Sequence, residues 1–314
     1  MRTTIHKISI DEVEKLAFLA REIWEEHYGS IFGVEQTNNL IDKLQNIETI
    51  TNEINSGYVY YFVKLQNRIV GYCNFIEIND ELYCGKLYLL KNMRGLGIGK
   101  EVFVALEKEA ILLGKKDIRL SVNSSSERSI RFYTTQGMRI EKTETNILPG
   151  EITSVDVIMH KSVCPIEKSI KYFFQGYNCC QAIVMGFAPF LDIKAEHIIT
   201  LGLAFGGGFA RTRHVCGAMS GIGMYVSHLQ GNTSPESKDT VYAVTQELCE
   251  KFKEVNHSFI CSEILENVDN ITTTPKSDAR TAQYYQERPC AKVIENASKL
   301  LLEHLQKLKS QNKI

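Results

Sequence analysis

Apolar residues follow two different spacings along the chain, and the change between them predicts two domains. Up to about residue 160, period-two runs typical of strands alternate with period-3.6 runs typical of helices. From Ile166 onward only the helical spacing recurs, and Cys164-Pro165 opens this second part. We therefore expect domains at residues 1–162 and 163–314.

The predicted elements of the first domain alternate between strand and helix, whereas those of the second are helices. Strands are predicted at Thr3–Ile8, Val59–Lys64, Arg68–Ile78, Leu82–Leu90, Ile118–Asn123, Arg139–Asn146 and Thr153–His160. Helices are predicted at Ile10–Tyr28 and Glu35–Asn55 and, in the second domain, at Ile193–Ala204, Lys238–Val255 and Ala291–Lys309.

A glycine-rich turn follows one of these strands. The apolar run Leu87–Leu90 leads into Arg94–Lys100, which reads Arg-Gly-Leu-Gly-Ile-Gly-Lys, and then into a helical pattern. Free N–H groups and the positive end of a helix favour an anion, so the segment is either a phosphate cradle or a tight turn before a core helix. A Walker loop is excluded because Arg94 occupies its first glycine position and Glu101 its hydroxyl position. A Rossmann fingerprint is excluded because Lys100 stands at its third glycine.

A second motif lies downstream of the glycine-rich turn. The predicted strand Ile118–Asn123 is followed by Ser124, which we expect to cap a helix with Glu127 completing the capping box. This helix carries Tyr133 and is expected to stop at Gly137.

The Arg-x-x-Gly-x-Gly turn and the strand–Asn123–helix–Tyr133 series resemble motifs A and B of the GNAT superfamily of N-acetyltransferases, over roughly the first 160 residues. The resemblance implies an α+β (α/β) fold with a mixed, mostly antiparallel twisted sheet flanked by helices. It also implies an acyltransferase that uses acetyl-coenzyme A as co-substrate, with Tyr133 protonating the departing thiolate. The implied cofactor-binding residues are Leu87, Tyr88, Leu89, Arg94, Gly95, Leu96, Gly97, Ile98, Gly99, Lys100 and Asn123.

The general base and the acceptor are less closely specified. Glu77 is the predicted base, with Asp80 and Glu81 as alternatives near the same hairpin. Segments such as Tyr60-Tyr61-Phe62 resemble the spermidine and diamine acetyltransferase branch, so we expect a small amine, with Glu25 and Glu26 as candidates to line its channel. The competing hypothesis is a non-catalytic acyl-coenzyme A-binding sensor of redox or metal state.

Composition excludes other classes of partner. Thirty-six basic and thirty-seven acidic residues leave a net charge of −1, which gives no bulk attraction to nucleic acid or membrane. No apolar run approaches the length of a membrane span, and the first residues lack the apolar core of a signal peptide. We therefore expect a cytoplasmic protein with mostly reduced cysteines, and a homodimer by analogy with GNAT proteins.

Four spaced cysteines characterise the second domain. Cys179, Cys216, Cys261 and Cys290, together with glycine segments such as Phe205–Gly208, resemble the C-GCAxxG-C-C family of redox-active proteins over about residues 166–308. The expected Gly-Cys-Ala order reads Cys-Gly-Ala at Cys216, so the resemblance depends on the whole series. No Cys-x-x-Cys spacing occurs, which disfavours a zinc knuckle or a thioredoxin motif.

Three interpretations of these thiols remain open: a reversible dithiol pair, a metal or iron–sulfur site with His214 nearby, or packing. Cys180 and Cys249 are expected to be packing residues. The glycine run Phe205–Gly208 is expected to allow close backbone approach.

Overall fold

The computed structural model describes residues 3–191 and 193–314. The chain divides into two compact units, which are described separately. The first comprises the residues up to Ala110 together with Gly114–Val163, and the second comprises Ile111–Leu113 together with Cys164–Ile314.

The first unit contains one mixed sheet. Its strands are β1 (Thr3–Lys7), β2 (Val59–Leu65), β3 (Arg68–Ile78), β4 (Glu81–Leu89), β5 (Asp117–Asn123), β6 (Arg139–Leu148) and β7 (Ile152–Ser162). In the described residues the sheet order is β1-β2-β3-β4-β5-β7-β6. Every neighbouring pair is antiparallel except β4 and β5, which are parallel. The fold class expected from the sequence is confirmed for this half of the chain.

Strands β4 and β5 separate halfway along, and this separation creates an opening in the sheet. Their pairing ends at Cys84 and Leu120, although β4 continues to Leu89 and β5 to Asn123. At the same point the register with β3 shifts, because Cys84 and Gly85 together face the single residue Phe75. A Cβ on Gly85 would lie 2.9 Å from Asn74 Oδ1, so the absent side chain allows β4 to bend there.

Helices cover both faces of this sheet. They are α1 (Val13–Phe32), α2 (Val34–Leu44), α3 (Ile47–Asn55), α4 (Ile98–Leu112) and α5 (Glu127–Thr135). Buried residues of α1 such as Leu16 and Ile23 pack with Phe62, whereas Val102 of α4 packs with Val63, the next residue of β2. Since successive strand residues point to opposite faces, these two clusters lie on opposite sides of the sheet.

Three local predictions differ from the structure. The helix expected at Glu35–Asn55 is two helices, because Gln45 leaves the helical conformation and the Asn46 side chain caps α3 by accepting from the Thr49 N–H at 2.7 Å. The first helix begins with a 3-10 turn at Ile10–Glu12. The cap of α5 is Ser126 rather than Ser124, with no side-chain cap bond, because Asn123 Oδ1 accepts from the Ser125 N–H and turns the chain there.

The second unit is helical in its described residues. Its helices are α6 (Pro165–Phe174), α7 (Cys179–Gly186), α8 (Ala195–Leu201), α9 (Gly217–Gln230), α10 (Ser237–Asn256), α11 (Cys261–Ile264), α12 (Ala282–Glu287) and α13 (Cys290–Ser310). A Cβ on Gly221 of α9 would lie 2.9 Å from Ile183 Cβ of α7, so this glycine allows the two helices close contact. Within the described ranges, no helix is both long enough and apolar enough to cross a bilayer.

Candidate functional site

A cavity of about 750 Å³ occupies the first unit where β4 and β5 diverge. Its lining combines the ends of both strands with the start of α4 and one side of α5. The sequence-predicted residues that line it are Leu87, Tyr88, Leu89, Arg94, Gly95, Gly97, Gly99, Lys100, Asn123 and Tyr133. Two of the predicted cofactor-binding side chains do not line it, since Leu96 is exposed and Ile98 packs in the core beside Val102.

The glycine-rich turn has the features of an anion cradle. Gly95 and Gly97 both adopt φ of +84°, a conformation that disfavours a side chain, and α4 begins directly after them. The first N–H groups of α4 have no helical acceptor and point towards the turn. Lys100 and Arg128 also line the cavity, and neither has a carboxylate partner among the described residues. We call the segment Arg94–Lys100 with Arg128 the cradle.

Arg94 itself is held from two sides. Its Nε donates to the Leu89 carbonyl at 2.9 Å, and its Nη2 donates to Glu26 Oε2 at 2.5 Å. Burial acts to raise the pKa of Glu26, but the Arg94 and Lys91 cations outweigh it and lower that pKa. Glu26, which the sequence suggested as a channel carboxylate, therefore positions Arg94. Glu25 instead pairs with Arg21 on the helix surface.

Tyr133 lies on α5 against Phe103 and Phe132 and reaches the cavity. Burial, with smaller effects of Cys84 and Tyr28, raises its pKa well above 10, so the phenol stays protonated at neutral pH. Its hydroxyl makes no hydrogen bond to any residue in the described part of the chain. The group is thus a proton donor with no internal acceptor.

The structure places the predicted base, Glu77, outside the cavity. Glu77 does not line the cavity, and its half-exposed carboxylate lies 2.8 Å from Lys115 Nζ. The two alternatives are also engaged outside the cavity, Asp80 with Lys116 and Glu81 with Arg119. The register of β3 explains this outcome, because Glu77 lies beyond the bulge, in the part of the sheet where β4 and β5 are still paired.

His27 is a cavity residue that the sequence analysis missed. Its ring packs edge-on against Tyr28 at 4.6 Å between centroids, and the Tyr28 hydroxyl bonds to the Tyr88 hydroxyl at 2.8 Å. Burial first, and then the Arg94 cation, lower the pKa of His27, so the imidazole is neutral at pH 7. Trp24, His27 and Tyr28 share one helix face at i, i+3 and i+4, which is the signal that could have identified this wall.

Asp156, like His27, lines the cavity although no sequence pattern assigned it a role. Its carboxylate lines the cavity and accepts from Ser154 Oγ at 2.7 Å and Asn146 Nδ2 at 2.9 Å. No cationic side chain in the described residues forms an ion pair with Asp156. The other acidic residue in the described lining is Glu53, and it binds Lys86 Nζ at 2.6 Å. Asp156 therefore presents an uncompensated negative charge to the cavity.

Asn123 lies opposite Asp156 in the ladder between β5 and β7. Its Nδ2 donates to Ser154 Oγ at 3.0 Å, and Ser154 in turn donates to Asp156. The asparagine that the sequence assigned to the cofactor thus also supports the acidic side of the cavity.

A second cavity, of about 650 Å³, lies in the helical unit and contains all four spaced cysteines in its lining. We call it the cysteine cavity. Each cysteine lies at the start of a helix: Cys179 begins α7, Cys216 caps α9, Cys261 begins the short α11 and Cys290 begins the 21-residue α13. The positive ends of α7, α9 and α13 therefore converge where the thiols do.

Two of these thiols form a pair. Interaction with the Cys179 thiol lowers the pKa of Cys290 against the opposing effect of burial, and Arg288, Arg280 and Arg213 lower it further. The same interaction, together with burial, raises the pKa of Cys179. Burial raises the pKa of Cys216 to about 12. Cys290 is therefore the one cysteine of these four whose pKa is lowered, and Cys179 is the residue that lowers it most.

Four arginines line the same cavity around one carboxylate. Asp278 accepts from both Nη atoms of Arg211, at 2.9 and 3.0 Å, and from Arg288 Nη2 at 3.0 Å. Arg213 Nη2 lies 4.0 Å from the same carboxylate. Arg280 is the exception: its guanidinium stacks on Tyr284 at 4.6 Å, and its buried Nη1 has no hydrogen-bond partner.

A left-handed turn places two of these arginines. Residues Gly207 to Arg211 all have positive φ, including Phe209 and Ala210, where a side chain makes this conformation costly. The expected close approach occurs at Gly208, where a Cβ would lie 2.6 Å from Cys261 Cβ.

The remaining candidates of this unit do not join the cavity. His214 is exposed, outside the lining, and contacts Cys261 only through its backbone carbonyl, at 2.6 Å from the Cys261 N. Cys180 packs with its sulfur 3.7 Å from Met224 Sδ, as expected for a core residue. Among the described residues, no group of three or more His, Cys, Asp or Glu side chains has an arrangement that could hold a metal ion.

Comparison with known families finds a match in each unit of the chain. Residues 17–138 match the acetyltransferase (GNAT) family, and residues 177–304 match a family described as "Putative redox-active protein (C_GCAxxG_C_C)". The two resemblances expected from the sequence are therefore confirmed.

Individual relatives match the first half of the chain. A spermidine N(1)-acetyltransferase of Thermoplasma acidophilum is 26% identical over 149 residues, 46% of this chain and 92% of that protein. An uncharacterised N-acetyltransferase of Lactobacillus delbrueckii is 22% identical over 169 residues, 51% of this chain and 96% of that protein. Among solved structures, a PaiA N-acetyltransferase from Thermoplasma acidophilum in complex with coenzyme A is 26% identical, with a TM-score of 0.45 over 52% of this chain and 99% of that one.

Proposed function

Because residues 17–138 match the acetyltransferase (GNAT) family, we propose that this chain transfers the acetyl group of acetyl-coenzyme A to a small amine that carries a second, cationic nitrogen. Spermidine and short diamines are the proposed acceptors. The observation that carries this choice is the uncompensated carboxylate of Asp156 in the cavity.

The cradle suits the diphosphate of the proposed co-substrate. Its glycines leave the backbone open, the first N–H groups of α4 lack acceptors, and Lys100 and Arg128 supply positive charge without a carboxylate partner. Beyond Cys84 the edge of β4 that faces β5 is unpaired. The main chain of Leu87–Leu89 is therefore free to bond the pantetheine arm as an added strand would.

Asp156 supports a dicationic acceptor rather than a simple amine. In this proposal one nitrogen stays protonated and binds the carboxylate, while the other loses its proton and attacks the thioester. The aromatic wall of Trp24, Tyr28 and Tyr88 is suited to contact the carbon chain between the two nitrogens.

We assign the two proton transfers to His27 and Tyr133. The neutral His27 imidazole accepts the proton of the attacking ammonium, directly or through one water. The freed amine attacks the acetyl carbonyl, the carbon–sulfur bond breaks, and Tyr133 donates its proton to the coenzyme A thiolate. A main-chain N–H of Leu87–Leu89 steadies the carbonyl oxygen as negative charge develops on it.

The test measures release of free coenzyme A thiol from acetyl-coenzyme A. We expect spermidine and 1,4-diaminobutane to accelerate release, and butylamine to have a KM at least tenfold higher. Asp156→Asn should raise the diamine KM by a similar factor and leave the butylamine KM within about twofold, and Asp80→Asn, which alters a surface ion pair, should change neither. Equal KM values for the diamine and butylamine would refute the acceptor, and binding of acetyl-coenzyme A without turnover on any amine would favour the sensor hypothesis.

We further propose a thiol redox function for the second unit. Two observations support it: Cys179 and Cys290 line the same cavity and shift each other's pKa, and residues 177–304 match the redox-active family. Oxidation of the native chain should remove two free thiols, and peptide mapping should find them in these two residues. An unchanged thiol count after oxidation would leave packing as the role of the cysteines.

A further inference from the structure

The cysteine cavity concentrates positive charge in a way that the rest of its unit does not. All four arginines that follow residue 163 line it, and no lysine does. Asp278 is the sole carboxylate among the described lining residues, so four guanidinium groups and one carboxylate leave a net charge of +3, or +2 when Cys290 is a thiolate. The converging starts of α7, α9 and α13 add to this potential.

Ion pairs within the cavity neutralise only part of this positive charge. Asp278 engages Arg211 and Arg288 directly and Arg213 at the limit of an ion pair. Arg280 Nη1 is buried without any partner, although stacking on Phe173 and Tyr284 fixes the guanidinium at the cavity wall. A buried donor on a cation is costly unless a ligand satisfies it.

We propose that the cysteine cavity binds a small disulfide that bears negative charge and reduces it with the Cys179–Cys290 dithiol. The inference rests on the thiol redox function proposed above and adds the class of substrate. A carboxylate or phosphate of the substrate binds Arg280, and the disulfide sulfurs lie against Cys290.

The reduction proceeds by two exchanges that balance. The Cys290 thiolate attacks one substrate sulfur, the substrate S–S bond breaks, and the first small thiolate leaves and takes a proton from solvent. Cys179 then gives up its proton and attacks the Cys290 sulfur of the mixed disulfide. This forms the Cys179–Cys290 bond and expels the second thiolate, which the released proton neutralises. Two protein thiols are oxidised and one disulfide becomes two thiols, so no further oxidant is needed for one turnover.

The experiment uses the reduced full-length chain in a single turnover with four disulfides. Glutathione disulfide carries carboxylates, coenzyme A disulfide carries phosphates, bis(2-hydroxyethyl) disulfide is neutral and cystamine is cationic. We expect one or both anionic disulfides to react at least tenfold faster than the neutral one and cystamine to be slowest, after correction for the rates with a free thiol. The faster anion identifies whether carboxylate or phosphate is preferred, and raising the ionic strength should reduce the advantage.

Two variants separate charge recognition from damage to the fold. Arg280→Gln should reduce the ratio of anionic to neutral rates about tenfold, and Arg280→Lys should restore part of it. Lys251→Gln removes one positive charge from an ion pair on α10, away from the cavity, and should leave the ratio unchanged. Equal rates with all four disulfides would overturn the anionic class while leaving the redox function intact. No loss of protein thiols with any of them would overturn both.

Discussion

The guanidinium of Arg94 joins the Glu26 carboxylate, at 2.5 Å, while its Nε bonds the Leu89 carbonyl at the end of β4. The first helix thus fixes the residue that opens the cradle. Removing one partner of such a pair releases the other from its position. Arg94 and Glu26 are 68 residues apart in the chain, so the contact exists only in the folded unit.

Glu26→Gln should weaken use of acetyl-coenzyme A. The substitution removes an ion pair whose side chains are 22% (Arg94) and 30% (Glu26) exposed. We therefore expect a loss of about 1 kcal/mol of binding free energy, or roughly a fivefold rise in the KM for acetyl-coenzyme A. Glu25→Gln is the matched control, because that neighbouring carboxylate pairs with Arg21 on the surface. Steady-state kinetics at saturating amine give the KM for acetyl-coenzyme A of each variant. Identical KM values for the two variants would contradict the role of Glu26 in positioning Arg94.

Gly97→Ala should destabilise the first unit, because Gly97 has φ of +84° although its Cβ would meet no atom. The expected loss is about 1 kcal/mol of unfolding free energy. Gly29→Ala, inside α1 and equally free of contacts, should instead gain about 0.5–1 kcal/mol. Trp24 is the single tryptophan of the chain and lies in the core of this unit, so denaturant titration followed by its fluorescence reports on this unit. Effects of the same sign would contradict the assigned backbone strain.

The pH profile of acetyl transfer should reflect His27 on its acidic side. A base acts when unprotonated, and burial and Arg94 lower the pKa of His27 from 6.5, so its acidic limb should lie below pH 6.5. His27→Gln should remove this limb and lower kcat about a hundredfold. His6→Gln, which alters an exposed histidine beside Glu12, is the control. A limb that persists unchanged in His27→Gln would assign the base elsewhere.

Tyr133→Phe should lower kcat about a hundredfold with little change in KM, because the hydroxyl acts only as the thiolate leaves. The raised pKa of Tyr133 keeps the phenol protonated through pH 10, so its ionisation should not limit the rate at alkaline pH. Tyr61→Phe removes a hydroxyl outside the cavity and serves as the control. A kcat within twofold of the parent would exclude Tyr133 as the acid.

Cys290 should be the first cysteine alkylated by iodoacetamide at pH 7. The Cys179 thiol and then the nearby arginines lower the pKa of Cys290, whereas burial raises those of Cys180 and Cys216 to about 12, so Cys290 has the larger thiolate fraction. Cys179→Ala should shift the pH midpoint of Cys290 labelling upward, and Cys249→Ala should not. Mass spectrometry of the labelled peptides measures the order, and first labelling at Cys216 would contradict it.

The strands and the cradle were predictable because their signals are local. Period-two runs located β2 and β3 within a residue of their observed ends, and the Arg94–Lys100 glycines indicated a turn before a helix. The break at Asn46 and the cap at Ser126 were missed, because a side chain that bonds a nearby N–H competes with an otherwise helical pattern.

The sequence alone determined both family resemblances, the glycine-rich turn before a helix, the candidate acid Tyr133 and the four spaced thiols, since each depends on residue types at short or fixed spacings. The tertiary structure decided which polar groups keep a partner. Glu77 and Glu26 are bound by cations, whereas among the described residues Asp156 has no cationic partner and Arg280 Nη1 has no hydrogen-bond partner. Charge compensation depends on contacts between residues far apart in the chain, and no local pattern encodes those contacts.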